Sequence, residues 1–252
     1  MVNKRFFRPA VVRLSLCALV LLVVAATLAW RLIPEDSTSG VAVGDALARY
    51  RQMVDREPSR AQALDGLPKP GLYRYAVRGG ESLDALLDSE HQYSGTAIVV
   101  VVRDSCGVEE RWRVLRERWS ASLLCRDGDR VHLVELHDHH EFFGEAKDSV
   151  YSCRPVGAEG TICEAGGEAV AYETVDLGSK RIEVDGREVL AEHLRSNLRM
   201  TGDTTGVGRV DEWRRVTDGL LLRKRQQTTA SFSAGDYVES YEIELQGAGA
   251  GA

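Results

Sequence analysis

Thr96 to Val102 reads TAIVVVV, apolar on both faces. A strand of this kind needs cover on both of its faces. The interior of a curved sheet supplies one cover and a helix the other. The best candidate for that helix is Val41 to Glu57, where Val43, Leu47, Tyr50 and Val54 recur at spacings of four, three and four before Pro58 stops the pattern. Ser59 to Pro70 reads as a linker stiffened at its end by Pro68 and Pro70.

Around that run the chain is written in short alternating segments separated by turn residues, the pattern of antiparallel β-structure. Leu72 to Arg78 is the first strand, followed by a helical turn at Ser82 to Leu87. Val108, Trp112, Leu115 and Trp119 fit a helical repeat, while Trp119, Ala121 and Leu123 alternate. A hairpin turning near Arg116 is preferred, because it brings Cys106 near Cys125. Asp127 and Gly128 turn the chain into Val131 to Phe143, and Ser149 to Cys153 is a further strand. Strands follow at Ala169 to Val175, Lys180 to Val184, Arg187 to Met200, Val210 to Val216, Leu220 to Phe232 and Asp236 to Leu245, with Gly202 to Gly208 as a flexible turn. On the last of them Tyr237, Tyr241, Ile243 and Leu245 share a face. The expected fold is mainly β (α+β): a transmembrane helix, a juxtamembrane helix, then a curved antiparallel sheet of meander hairpins approaching a half-barrel.

Leu14 to Trp30, LSLCALVLLVVAATLAW, carries no charge and is bracketed by Arg13 and Arg31. As a helix it spans about 26 Å, and Ala10 to Val12 with Leu32 and Ile33 extend it toward the thickness of a bilayer. Lys4, Arg5, Arg8 and Arg13 precede it without an acidic residue, which directs the N-terminus to the cytoplasm. A cleaved signal peptide is the rival reading, with Thr27 to Ala29 as its cleavage site; an uncleaved anchor is preferred because the apolar run is long. The expected organisation is a basic cytoplasmic tail (1–13), a transmembrane helix (14–33), a juxtamembrane helix and linker (34–70), an extracytoplasmic β-rich domain (71–246) and a disordered tail (247–252). The chain is thus expected in the cell membrane, single-pass, with its bulk outside the cytoplasm.

The net charge is −6, and removing the four cytoplasmic cations leaves −6 − 4 = −10 outside. That balance argues against a nucleic-acid partner and against docking on anionic headgroups. Cys17 lies in the apolar run, and the four remaining cysteines fall on the oxidising side. An even number there favours disulfides, with Cys106 to Cys125 and Cys153 to Cys163 preferred among three connectivities.

The order DGREVLAEHLRSNL, a glycine-rich turn, VDEWRRV, DGLLLRKR and a final alternating strand resembles the sheet of LolA-like lipoprotein carriers. That resemblance covers the last 80 residues or so and implies a strongly curved sheet wrapping an apolar cavity closed by a helix. GLYRYAVRGGE and HHEFFG resemble stretches of uncharacterised actinobacterial membrane-anchored envelope proteins. Neither resemblance supplies catalytic residues, and a shuttling carrier would lack the anchor expected here.

The densest polar group is His137, Asp138, His139, His140 and Glu141. On a strand, His137 and His139 would lie about 7 Å apart on one face with Glu135 or Glu141 as a third metal ligand. A polar strand end is the simpler reading, so no metal or cofactor is assigned. No GxSxG elbow occurs, and no catalytic residue is named. Trp112, Trp119 and Trp213 are candidates to line a ligand cavity, although tryptophans are more often core. Arg195, Arg199, Arg214, Arg215, Arg223, Lys224 and Arg225 form either a cationic surface or, more simply, charge-paired ladders. The expected function is an extracytoplasmic binding protein with an apolar or lipid-like ligand; the alternative is a regulatory or scaffold ectodomain acting through protein contacts.

Overall fold

The computed structural model describes residues 36, 38–84, 88–128, 130–157, 159–233 and 235–249. The chain divides into two compact units, Met1–Ser37 and Thr38–Ala252. The expected transmembrane helix lies outside the described residues, and among these no helix is long and apolar enough to cross a membrane. The second unit is described below.

Among the described residues one α-helix, α1 (Val43–Arg56), precedes a short 3-10 turn (Pro58–Ala61). Twelve strands follow: β1 (Gly71–Asp84), β2 (Ser89–Arg103), β3 (Gly107–Arg113), β4 (Arg118–Asp127), β5 (Arg130–Phe142), β6 (Glu145–Val156), β7 (Gly160–Ala165), β8 (Glu168–Val184), β9 (Arg187–Thr201), β10 (Thr205–Arg215), β11 (Leu221–Phe232) and β12 (Gly235–Gly249). Each pairs antiparallel with its sequence neighbours, and β12 returns to β1. The sheet is therefore a closed barrel and not the open half-barrel expected from the turns. Closure removes both sheet edges, so neither end strand is left with unpaired backbone groups.

The long pairing from Leu72↔Gly249 to Asp84↔Asp236 makes this seam. It also corrects two expectations. Ser82 to Asp84 are strand and not helical turn, and Gly247 to Gly249 pair with Arg74 to Leu72 instead of hanging free. Gly79 shows why the seam tolerates no side chain there: its φ is +120°, and a Cβ would stand 2.1 Å from the Ser240 carbonyl oxygen. Gly206 and Gly208 belong to a strand and not to the expected turn for a similar reason. They lie within β10, where a Cβ would fall 2.4 Å from the Thr229 carbonyl oxygen and 2.8 Å from Leu198 Cδ1 respectively. These glycines permit close strand approach; the turn before them is shorter than expected. Lys180 to Val184 is likewise the continuation of β8 past a bulge between Asp176 and Ser179.

The TAIVVVV segment is covered on both faces, as expected. Val99 and Val101 face the lumen with Tyr73, Tyr75, Tyr241, Ile243 and Leu245. Ile98, Val100 and Val102 face outward with Leu72, where Tyr50 and the flanking Val43, Leu47, Met53 and Val54 of α1 cover them. The helix thus packs on the outer wall and does not close the lumen, as the carrier resemblance implied. The expected linker is partly core: Leu67 is 3% exposed and packs with Leu64 into the luminal cluster. A third apolar cluster, with Tyr151, Val170, Leu198 and Val210, fills the side bounded by β6 to β10.

Candidate functional site

Alternation along the strands sends a second class of side chain into the lumen. β1 contributes Glu81, β2 His91 and Tyr93, β4 Arg118, β5 Asp138 and His140, β11 Gln226, and β12 Tyr237 and Glu239. Arg118 is at the centre. Its Nε donates to Glu239 Oε1 at 3.0 Å and its Nη1 to Asp138 Oδ1 at 2.7 Å. His140 lies between two carboxylates, with Nε2 2.9 Å from Asp138 Oδ2 and Nδ1 3.1 Å from Glu81 Oε2. The other Glu81 oxygen meets His91 Nδ1 at 2.9 Å, and the His91 ring stacks on Phe142 at 4.5 Å. Hydroxyls complete the shell: Tyr237 donates to Glu81, Tyr93 to Glu239, and Gln226 also donates to Glu239 at 2.7 Å.

The electrostatics follow from this geometry. Burial and the nearby Arg118 charge both oppose a proton on His140, yet Asp138 and Glu81 outweigh them and raise its pKa to about 9. Burial alone would raise Glu81 and Asp138, but His140 and Arg118, with His91 also bonded to Glu81, hold both well below the usual carboxylate range. Burial, then the charges of Glu239 and Glu81, pushes the Tyr237 hydroxyl far up, so it remains a neutral donor. Between the two carboxylates the imidazolium is stabilised in its charged form. The cluster is a buried ionic lattice.

A second polar layer crosses the lumen beside it. Arg214 of β10 forks onto Glu110 of β3 at 3.0 and 3.1 Å and bonds Glu212 at 2.8 Å. Lys224 Nζ sits 4.4 Å over the Trp112 ring, whose other neighbours are Tyr241 at 5.7 Å and the Arg118 guanidinium at 5.2 Å. Burial lowers the Lys224 pKa despite the opposing charges of Glu212 and Glu239. Trp112 therefore joins the two layers.

The three candidate tryptophans do not line one space. Trp112 faces the lumen, whereas Trp119 is on the outer wall with Arg111 and Arg113 at 5.7 and 5.9 Å from its ring. Trp213 is on the face of β10 opposite Arg214 and is 6% exposed, in one buried cluster with Ile182, Val184 and Ala191, stacked on His193 and with Lys180, Arg223 and Arg225 over its ring. His137 and His139 share the Trp119 face, and both ring nitrogens approach Asp148 Oδ1, at 3.2 and 2.9 Å. Glu141 is on that strand face but joins no such contact with them. Among the described residues no three His, Cys, Asp or Glu side chains converge as a metal site.

The expected disulfides are present, Cys106 to Cys125 and Cys153 to Cys163. The basic C-terminal strands resolve into paired ladders: Arg195 and Arg209 with Asp211, Arg223 with Glu244, Arg225 with Glu242, and Arg215 with Asp218. Lys224 and Arg214 are not on that surface at all, because their alternation turns them inward. Sequence reasoning missed the lattice itself. One signal was legible: Glu239 has the same parity as Tyr237, Tyr241, Ile243 and Leu245, so a carboxylate stood on a face otherwise read as apolar.

No protein family matches the chain, and no curated protein matches it. Among solved structures it is similar to the hypothetical lipoprotein YmcC from Escherichia coli (K12), at 13% identity over 76% of this chain and 96% of that chain, with a TM-score of 0.35. A likeness at that TM-score carries no argument about fold or function.

Proposed function

We propose that this chain is a single-pass protein of the cell envelope, anchored by residues 14–33 with its N-terminus in the cytoplasm, and that the barrel is its extracytoplasmic binding domain. The observation that carries the location is the pair of disulfides, each tying neighbouring parts of the sheet, since such bridges persist in oxidising compartments. An even-stranded meander with a polar lumen is also the architecture of membrane-spanning barrels. Its lipid-facing band would be apolar, however, and here the outer wall of β9 to β12 carries the Arg195, Arg209, Arg223 and Arg225 ladders. That wall is built for water.

Of the two forms of binding, contact with a partner at the outer wall is better supported than storage of a lipid-like guest. Ion pairs span the lumen from β4 to β12 and from β10 to β3, and an acyl chain threaded past them would strip charged groups of their partners. The test is thiol accounting on membranes from cells making the full chain. The protein is expected to resist carbonate extraction and to expose at most Cys17 to maleimide until a reductant frees the other four thiols. Extraction into the soluble fraction, or alkylation of all five cysteines without reductant, overturns the location. Stoichiometric lipid in mass spectra of the purified chain overturns the preference for a partner.

A further inference from the structure

The outer wall is not uniform in its charge pairing. Arg49 of α1, Arg113 at the end of β3 and Arg116 in the β3–β4 turn make no ion pair and no side-chain hydrogen bond among the described residues, unlike Arg195, Arg209, Arg223 and Arg225. Arg49 and Arg116 are exposed, and Arg113 is half-buried against Trp119. The group is mutually repulsive: burial first, then the charges of Arg49 and Arg111, with Arg116 adding, lower the Arg113 pKa, and only Glu117 opposes. Glu117 is itself engaged by the Ser39 amide at 2.8 Å, and Arg111 is paired with Glu109 at 2.7 Å.

The same place is where the chain enters the barrel. The Ser39 carbonyl accepts from the Arg116 amide at 2.9 Å, so Ser39 is fastened by both its backbone groups to the β3–β4 turn. From Ile33, the end of the apolar stretch, to Ser39 is six residues, which fully extended reach about 20 Å. With the anchor placed as under the proposed function, on which this inference rests, a tether that short keeps the turn close to the bilayer surface.

We propose that Arg49, Arg113 and Arg116 form a docking surface for anionic phospholipid headgroups, which holds this end of the barrel against the membrane that anchors it. The net acidity of the chain argues against such contact, but it averages over a surface on which three cations without ion pairs stand together beside the tether. A guanidinium matches a phosphate in fork geometry, and each basic residue at an anionic surface is worth roughly a fivefold gain in association.

The test uses the full chain in nanodiscs of phosphatidylcholine alone or with one third phosphatidylglycerol, footprinted with phenylglyoxal and read by mass spectrometry. Co-elution with discs of either composition checks the anchor; loss from the discs would sink the anchor reading separately. With the anchor in place, modification of Arg49, Arg113 and Arg116 is expected to slow at least about fivefold in the anionic discs, while Arg187 on the β8–β9 hairpin is unchanged. Salt at 0.5 M should abolish the difference. Arg113→Gln should weaken the protection of Arg49 and Arg116, and Arg113→Lys should keep it. Equal modification in the two lipids overturns the proposal, as does equal protection by inorganic phosphate in phosphatidylcholine discs, which would make the ligand a free anion.

Discussion

Glu239 and Glu242 stand three residues apart on β12 and both accept from arginine, yet they occupy opposite faces of one wall. Glu239 is 1% exposed and is bonded by Arg118, Tyr93 and Gln226. The Glu242 side chain is 15% exposed, and its partners Arg225 and Arg78 extend into solvent at 54% and 77%. The inner pair has given up hydration for partners fixed on other strands; the outer pair keeps most of its water. Chemically similar contacts should therefore respond very differently when one member is removed.

The largest effect is expected inside. Arg118→Ala strips Glu239 of its charged hydrogen-bond partner and leaves His140 alone to offset Asp138 and Glu81, and the cost should be about 3–5 kcal/mol in urea unfolding followed by tryptophan fluorescence. Arg118→Met combined with Glu239→Leu should recover part of that loss, because one stranded carboxylate goes with the cation. Strict additivity of the two changes would break the comparison, since the inner residues would then not be acting as a unit.

Protons probe the same lattice next. His140 has its pKa raised from 6.5 to about 9, so its stabilisation is fully present below about pH 6.5 and is lost as pH rises through 9. Glu81 and Asp138 are depressed from 4.5 and 3.8, so theirs is present above those values and is lost as pH falls beneath them. The lattice contributes most between roughly pH 4.5 and 6.5. The alkaline arm should amount to about 3 kcal/mol at most, and His140→Gln should flatten it; an unchanged arm in that variant would assign the proton to another group.

Away from the charges, Tyr75 is fully buried and its hydroxyl donates to the Leu221 carbonyl at 2.6 Å. Tyr75→Phe removes one neutral hydrogen bond and should cost about 1 kcal/mol by the same unfolding measurement, well short of Arg118→Ala. A loss equal to that of Arg118→Ala would mean that charge is not what sets the inner contacts apart.

The contrast also explains what could be read from the chain alone. TAIVVVV announced a wall covered on both sides, and α1 is found where its periodicity put it, because apolar spacing survives translation into packing. The hairpin at Arg116 and both disulfides were legible for the same local reason. Closure was not: Leu72 and Gly249 meet from the first and last strands of the sheet, and nothing in either segment names its mate. The lattice was hidden likewise, since Glu81, Arg118, Asp138 and Glu239 come from separate strands and each alone looks like an ordinary surface charge. Gly206 and Gly208 misled because glycine marks close strand approach as readily as a turn.

The smallest effect belongs to the outer ladder. Arg225→Gln leaves Glu242 with Arg78 and Arg223, at 3.0 and 3.7 Å, and with water on the remaining side. Exposed pairs of this kind contribute little, so stability should change by no more than about 0.5 kcal/mol. Sodium chloride at 0.5 M shortens the screening length to roughly 4 Å and should shrink even that difference, while the cost of Arg118→Ala should persist because the Arg118 and Glu239 side chains are 4% and 1% exposed and buried pairs are screened much less. A salt-insensitive loss of several kcal/mol at Arg225 would mean that the outer wall is covered by something that excludes water, and the ladder would then mark a buried interface.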